Sequence, residues 1–289
     1  MEKAAFIGFG EAGRAFAGLR GPASAFDLKL LDAAARAEVE RAVEEAGVAV
    51  SPSTADAVRD AGLVLSVVTA DQAVRAAEAA APALTAGALY CDMNSVAPDT
   101  KRRAAAIVEA AGARYVDVGV MAPVRPAGLA VPLLVSGPQA EAAVAALTER
   151  GFTDVRAVGV AVGAASAVKM IRSVMVKGME ALTVECMLAA DAAGVRDEVL
   201  RSLDASARSG PAAARADYDL DRVMTHGLRR AAEMEEVVRT LDALGVGSAM
   251  SRATVERQRA VGALRLSPPP GLDAKLARLR PAARRRDAA

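Results

Sequence analysis

Histidine is nearly absent from this chain: there is one, His226, among 289 residues. Only two cysteines are present, Cys91 and Cys186, and there is no tryptophan. Two thiols cannot build a disulfide framework or a four-thiolate zinc site, and one imidazole excludes a histidine-based metal cluster, so no metal site is expected. Aromatic residues make up 3% of the chain, too few for base-stacking platforms. Thirty-six basic residues stand against 35 acidic ones, a formal charge of +1, so there is no basic field to attract nucleic acid. Long apolar runs are missing too. The alanine-rich stretch 76–90 is broken by Glu78, Pro82 and Thr85, and no membrane span is expected. The short apolar run after Lys3 passes straight into Gly8, Glu11 and Arg14, unlike a signal peptide. A reducing cytoplasm is the expected compartment.

What the chain does contain is a core. Hydrophobic residues are 53% and charged residues 25% of the sequence, proportions of a folded protein of about two domains. Alanine supplies about a quarter of all residues, so helices will have small faces. Lysine is scarce: Lys3, Lys29, Lys101, Lys169, Lys177 and Lys275 are the full set, and arginine carries the remaining positive charge.

Apolar runs alternate with helical stretches through the first half. Strands are expected at Ala4–Gly8, Leu28–Asp32, Val48–Val50, Leu63–Thr69, Leu89–Asp92, Tyr115–Met121, Pro132–Ser136 and Val155–Val158. Helices such as Arg36–Ala46 and Pro98–Ala111 lie between them. Runs such as LVLSVV are apolar throughout rather than alternating, which suits strands buried on both faces. The order implies an α/β fold, a Rossmann-type doubly wound, mainly parallel sheet over residues 1–160. Strand signals then stop. Residues 161–266 read as an all-α domain, with helices from Gly163 to about Ala193, Asp197–Ser209, Asp219–Leu244 and Ser251–Ala263. Gly194 is placed to cap the first of these. The Arg-rich stretch 267–289 reads as a mobile, solvated tail.

The first turn spells Gly8-Phe9-Gly10-Glu11-Ala12-Gly13, a G-x-G-x-x-G between an apolar strand and a helix. Gly8 permits the tight turn, Gly10 lets backbone approach a pyrophosphate, and Gly13 lets helix and sheet pack closely. Free N–H groups at the helix start favour an anion. Asp32, read as the end of the second strand, would accept hydrogen bonds from the ribose of NAD and repel the 2′-phosphate of NADP. NAD is therefore favoured, although Arg36 leaves NADP open. Thr69, Asp71, Asn94 and Ser95 follow later strands, where ligands of open α/β sheets bind. Thr69 and Asn94 are assigned to the cofactor and Ser95 to the substrate.

Four segments together resemble the β-hydroxyacid dehydrogenases, the group that includes 3-hydroxyisobutyrate and 6-phosphogluconate dehydrogenases. They are FIGFGEAG (Phe6–Gly13), DMNSVAP (Asp92–Pro98), YVDVGVMAPV (Tyr115–Val124) and GAASAVKMIRS (Gly163–Ser173). The run KMIRSVMVKGMEAL is also similar to a subgroup of NAD-binding phosphogluconate-dehydrogenase-like proteins. The resemblance implies hydride exchange between NAD or NADP and a small hydroxy acid or its oxo partner, with Lys169 as the catalytic lysine and Ser173 assisting. It also implies pairing of two copies through the helical half. The chain departs from the family where Arg125-Pro126-Ala127-Gly128 replaces S-G-G. Pro126 has no N–H to give a carboxylate, while Arg125 can grip an anion with two bonds.

Lys169, Ser173 and Lys177 share one helix face, with Glu180 close by. Lys169 falls in the first turns of its helix, where the positive helix end lowers the proton affinity of an ammonium. Lysine can then trade a proton, which arginine cannot. Lys177, His226 and Arg229 are further candidates to contact an anionic substrate. Two other readings stand beside this one: an imine reductase of similar build, and an NAD(H)-binding regulatory protein without catalysis.

Overall fold

Strand β1 (Lys3–Ile7) lies in the interior of an eight-stranded sheet of order β3-β2-β1-β4-β5-β6-β7-β8. Its partners are β2 (Ala23–Phe26) on one side and β4 (Ala61–Ser66) on the other, both parallel. The remaining strands are β3 (Ala49–Val50), β5 (Leu89–Asp92), β6 (Arg114–Val120), β7 (Leu133–Ser136) and β8 (Val155–Ala157). All pairings are parallel except β6 with β7. The computed structural model describes residues 1–206 and 209–286, with side chains to residue 280.

The strands are buried on both faces because helices cover both. Helices α1 (Glu11–Phe16), α2 (Arg36–Glu45), α3 (Thr54–Val58), α4 (Ala73–Ala80), α5 (Pro98–Ala110) and α6 (Ala140–Glu149) alternate with the strands. Side chains alternate along β1. Ala4 and Phe6 join a layer with Phe9, Phe16, Leu65 and Val118. Ala5 and Ile7 join the opposite layer with Val64, Tyr90, Tyr115 and the alanines of α4 and α5. Small faces on those two helices let them sit close to the sheet.

The second strand differs from the sequence reading. It is Ala23–Phe26, and Leu28–Leu31 forms a 3-10 turn. Asp27 ends the strand and its carboxylate accepts the Lys29 N–H at 2.9 Å, which starts that turn. Ala-Ser-Ala-Phe carries little strand propensity, and the stronger apolar run Leu28–Leu31 draws the assignment away from it.

The remaining helices are α7 (Ala164–Ala192), α8 (Arg196–Ser206), α9 (Ala212–Leu244), α10 (Ala249–Gly262) and α11 (Leu272–Arg286). The chain divides into two compact units, Met1–Val174 and Met175–Ala289, so the first turns of α7 belong with the sheet. Gly194, with φ of 69°, follows α7 as expected. Two boundaries moved. Helix α8 is described to Ser206, and residues 207–208 of the expected helix lie outside the described residues. Helix α9 begins at Ala212, capped by Pro211, rather than at Asp219.

Within the second unit, α9 and α10 form an antiparallel pair joined at Gly245, whose φ of 70° closes the end of α9. Gly227 and Gly262 meet where these helices cross. A Cβ on Gly227 would stand 2.5 Å from the Gln258 carbonyl oxygen, and one on Gly262 would stand 2.4 Å from the Leu228 nitrogen. Only glycine allows backbones this close. The Glu185 carboxylate of α7 receives the N–H groups of Met250 and Ser251 and the Ser251 hydroxyl, closing the start of α10. The stretch read as a mobile tail instead contains helix α11, anchored to α9 by Lys275. That buried ammonium meets Asp217 at 2.8 Å and Asp221 at 3.4 Å. Residues 287–289 of the tail lie outside the described residues. Among the described residues no helix is long and apolar enough to cross a membrane.

Candidate active site

The sheet changes direction of winding at β1, so the turns after β1 and β4 open a crevice at the carboxyl ends of both strands. Two of the three turn glycines answer to a close contact and the third to open space. Gly8 has φ of 91°, and a Cβ there would sit 2.8 Å from the Val67 carbonyl oxygen. At Gly10 nothing lies within 4 Å of a Cβ position, leaving backbone open to a ligand. At Gly13 a Cβ would meet the Gly8 carbonyl oxygen at 2.9 Å. The Phe9 ring belongs to the core, packing edge-on against Phe6 at 5.7 Å.

A cavity lies on each side of this turn. One, of about 230 Å³, is a mainly apolar slot between Gly8, Phe26, Leu28 and Val68, with Gln72 and Arg75 of the α4 region at its edge. The other, of about 490 Å³, is lined by Glu11, Ala12, Val67, Val68, Thr69, Met93, Asn94, Ser95, Pro123, Val124 and Lys169. Val68 touches both. An apolar slot, a glycine turn at a helix start and a larger polar-edged cavity in succession fit the base, pyrophosphate and nicotinamide ends of a dinucleotide.

Lys169 lies in the second turn of α7, and its Nζ donates to Ser95 Oγ at 2.6 Å. Two segments 74 residues apart therefore meet on the larger cavity. Asn94 lines the same wall but is turned inward: its Oδ1 accepts the Val68 N–H at 2.7 Å and its Nδ2 donates to Ser66 Oγ at 2.9 Å. Thr69 also lines the cavity, and its hydroxyl lowers the pKa of the exposed Asp71.

Other expected residues fall elsewhere. Ser173 Oγ donates to the Lys169 carbonyl at 2.9 Å and does not line the cavity. That i to i−4 bond satisfies the hydroxyl within the helix. Arg125 is exposed and outside the lining, although its neighbour Val124 belongs to it. Asp32 is an exposed residue after the 3-10 turn, where its Oδ1 accepts the Ala34 N–H at 3.0 Å. The acid at the end of β2 is Asp27, whose Oδ2 accepts the Phe9 N–H at 2.7 Å. Arg36 is paired with Glu40 at 2.7 Å. Lys177 belongs to the second unit and is exposed there. His226 and Arg229 line a separate cavity of that unit, with Met224 and Arg265.

Sequence reasoning overlooked the charges beneath the cavity floor. Lys101, Asp92 and Asp117 are wholly buried, and Lys101 Nζ lies 2.9 Å from Asp92 and 3.4 Å from Asp117. The Tyr115 hydroxyl donates to Asp92 at 2.7 Å. Burial first, and the Asp92 charge second, hold the Tyr115 phenol well above its ordinary value. The same two causes push the Cys91 thiol up to about 12. The signal in the sequence was Lys101 itself, one of few lysines in a chain that otherwise uses arginine.

A doubly wound sheet, a glycine turn with a cavity on either side, and a lysine reaching the larger one define a Rossmann-type NAD-binding protein with a dehydrogenase-like fold. Comparison with known proteins agrees: residues 3–148 match the NAD binding domain of 6-phosphogluconate dehydrogenase, and the chain belongs to that family. Residues 190–261 match a domain of unknown function, DUF1932. A conserved hypothetical protein from Sinorhizobium meliloti 1021 is 37% identical, with 98% of this chain and 97% of that one covered and a TM-score of 0.61. An imine reductase from Myxococcus stipitatus, solved with NADP+, shares the fold at 19% identity, with 96% and 99% covered and a TM-score of 0.73. So does a 3-hydroxyisobutyrate dehydrogenase from Mycobacterium tuberculosis, solved with L-serine, at 19% identity, 91% and 94% covered and a TM-score of 0.60. No curated protein matches this chain.

Proposed function

We propose that the protein is an NAD(P)-dependent oxidoreductase acting on a small hydroxy acid or its oxo partner, with Lys169 moving the proton. The observation that carries this reading is the Lys169–Ser95 pair, 2.6 Å apart on the wall of the larger cavity. When bound, the nicotinamide supplies or accepts the hydride. Glu11 and the N–H groups at the start of α1 border the turn that would hold the pyrophosphate. Ser95 orients the oxygen of the substrate, and Lys169 gives that oxygen a proton in reduction or takes one in oxidation. Val67, Val68, Met93 and Val124 give the cavity its apolar wall.

The experiment is a panel of 2- and 3-hydroxy acids and their oxo partners with both cofactors, followed by Lys169→Arg and Lys169→Ala on the best substrate. Proton transfer by Lys169 requires both variants to lose kcat by about 10²–10⁴-fold with NADH affinity unchanged. An Arg variant within a few-fold of wild type would show that Lys169 only holds an anion.

A second reading, reduction of an imine, is favoured by one observation. Among the described residues lining the cavity Lys169 is the one cation, and Arg125 stands outside that lining, so no second cation there would grip a carboxylate. Cyclic imines in the same NAD(P)H-oxidation assay separate the two. Tight NADH binding without turnover of either class would favour a regulatory protein.

Asp27 is the residue we assign to cofactor choice, with NAD preferred, because it ends β2 beside the glycine turn. The protein also forms a homodimer in this reading. Met175, Met179, Val184 and Leu188 of α7 and Leu203 of α8 are each more than half exposed, an apolar surface that a second copy would cover. Sedimentation showing a monomer at micromolar concentration would overturn the dimer.

A further inference from the structure

Lys101 projects from α5 into the interior and is 0% exposed. An ammonium is a compact point charge, and here it reaches both carboxylates at once. It joins two carboxylates, and each of these ties down a different half of the Ser95–Lys169 pair. Asp92 Oδ1 accepts the Asn94 N–H at 2.9 Å, fixing the turn that presents Ser95. Asp117 accepts the N–H groups of Gly163 and Ser166 at 3.1 and 3.0 Å and the Ser166 hydroxyl at 2.6 Å. Those contacts close the free N–H groups at the start of α7, three and six residues before Lys169. Ser136 Oγ donates to the same carboxylate at 3.0 Å and accepts the Ala165 N–H at 2.9 Å. The result is a closed circuit from Ser95 through Asp92, Lys101 and Asp117 to Lys169, completed by the 2.6 Å contact between its ends. Without the ammonium, two buried carboxylates would repel each other, and the turn and the helix start would be free to separate.

We propose that Lys101, bridging Asp92 and Asp117, is a positioning residue that sets the spacing of Ser95 and Lys169. Its catalytic meaning rests on the proposed role of that pair; its structural content does not. The test uses the full chain and a readout that needs no substrate: the rate at which an amine-reactive reagent labels Lys169, measured by mass spectrometry. The exposed Lys29 and Lys177 serve as internal references. In Lys101→Met, which keeps the length and removes the charge, Lys169 is released from Ser95. Its labelling should rise about five-fold relative to the references, the worth of one lost hydrogen bond. On any substrate that is turned over, kcat should fall about 10²-fold while KM changes little. If Lys101→Met does not fold, Ser166→Ala removes one donor to Asp117 and should give the same change to a smaller degree. Unchanged relative labelling of Lys169 in the folded variant overturns the proposal, as does an equal rise at all three lysines, which would report general loosening. If Lys169→Arg stays active but Lys101→Met still raises the labelling, the positioning stands and the proton-transfer reading falls.

Discussion

The sheet unit and the helical unit hold together by opposite means. In Met1–Val174 the large side chains are inside, from Phe6 and Phe16 to Tyr90 and Tyr115, and the buried charges Asp92, Lys101 and Asp117 are paired with one another. In Met175–Ala289 the buried apolar cluster is small, built on Ala231, Val238 and Val255, while large residues of α7 and α8 face outward. Its ties are the glycine contact, the Glu185 carboxylate, the buried Lys275 ammonium and ion pairs at the surface. Surface pairs stabilise weakly, so the backbone contact at Gly227 and Gly262 carries more of the burden. The first unit can therefore lose a side chain at its ligand crevice and remain folded. The second has little to spare.

The sharpest way to break this contrast is to fill the helix crossing. Gly227→Val places a side chain where the Gln258 carbonyl and Gly262 stand. It should destabilise the α9–α10 pair by about 1–3 kcal/mol or more, seen as an early loss of helical circular dichroism on heating. NADH binding, measured by fluorescence, should persist through that early loss. If binding and helicity vanish together, the two units are not energetically separate.

A smaller effect is expected at the crevice. Asp27→Ser should improve NADP use relative to NAD by about ten-fold, with the melting temperature shifted by only a few degrees. Asp32→Ser should do nothing to the ratio. A change confined to Asp32 would restore the reading made from sequence spacing.

The smallest effect concerns acid. Burial works to raise the pKa of Glu185, but the Ser251 hydroxyl and the N–H groups of Met250 and Ser251 outweigh it and hold the carboxyl below its ordinary value. A depressed carboxyl stabilises the fold above its unfolded pKa, and that contribution is lost as pH falls through the folded one. Glu185→Gln should thus lower the melting temperature by a few degrees at pH 7, and the difference from wild type should shrink below about pH 4. Lys275 runs the other way. The hydrogen bond from its ammonium to Asp217 leads in raising its pKa. Its contribution is complete at neutral pH and is lost only in strongly alkaline solution.

The two units were also unequally legible. Apolar runs such as Leu63–Leu65 announce a doubly covered strand because burial on both faces leaves no polar position. The glycine turn was readable because Gly8 and Gly13 each meet a separate steric demand and their spacing shows in the sequence. Ala23–Phe26 was not, since its partners on β1 and β3 rather than its own composition make it a strand. With it went the identity of the acid beside the turn. The Lys101 cluster was hidden for a similar reason: Asp92, Lys101 and Asp117 lie on three elements and become neighbours only when β5 and β6 pair. Helix α11 was masked by composition, because a run of arginines reads alike whether solvated or tied down at one lysine.

Each unit carries one cysteine, and their surroundings differ as much as the units do. Cys91 is fully buried on β5, with its thiol pushed up to about 12, whereas Cys186 on α7 is only half-buried. A thiol reagent should therefore modify one site in the native protein and reach the other only when the sheet opens. Without any engineering, the molecule contains two clocks. Cys186 runs on local motion of the helical half, and Cys91 on the rate at which the nucleotide-binding half comes apart.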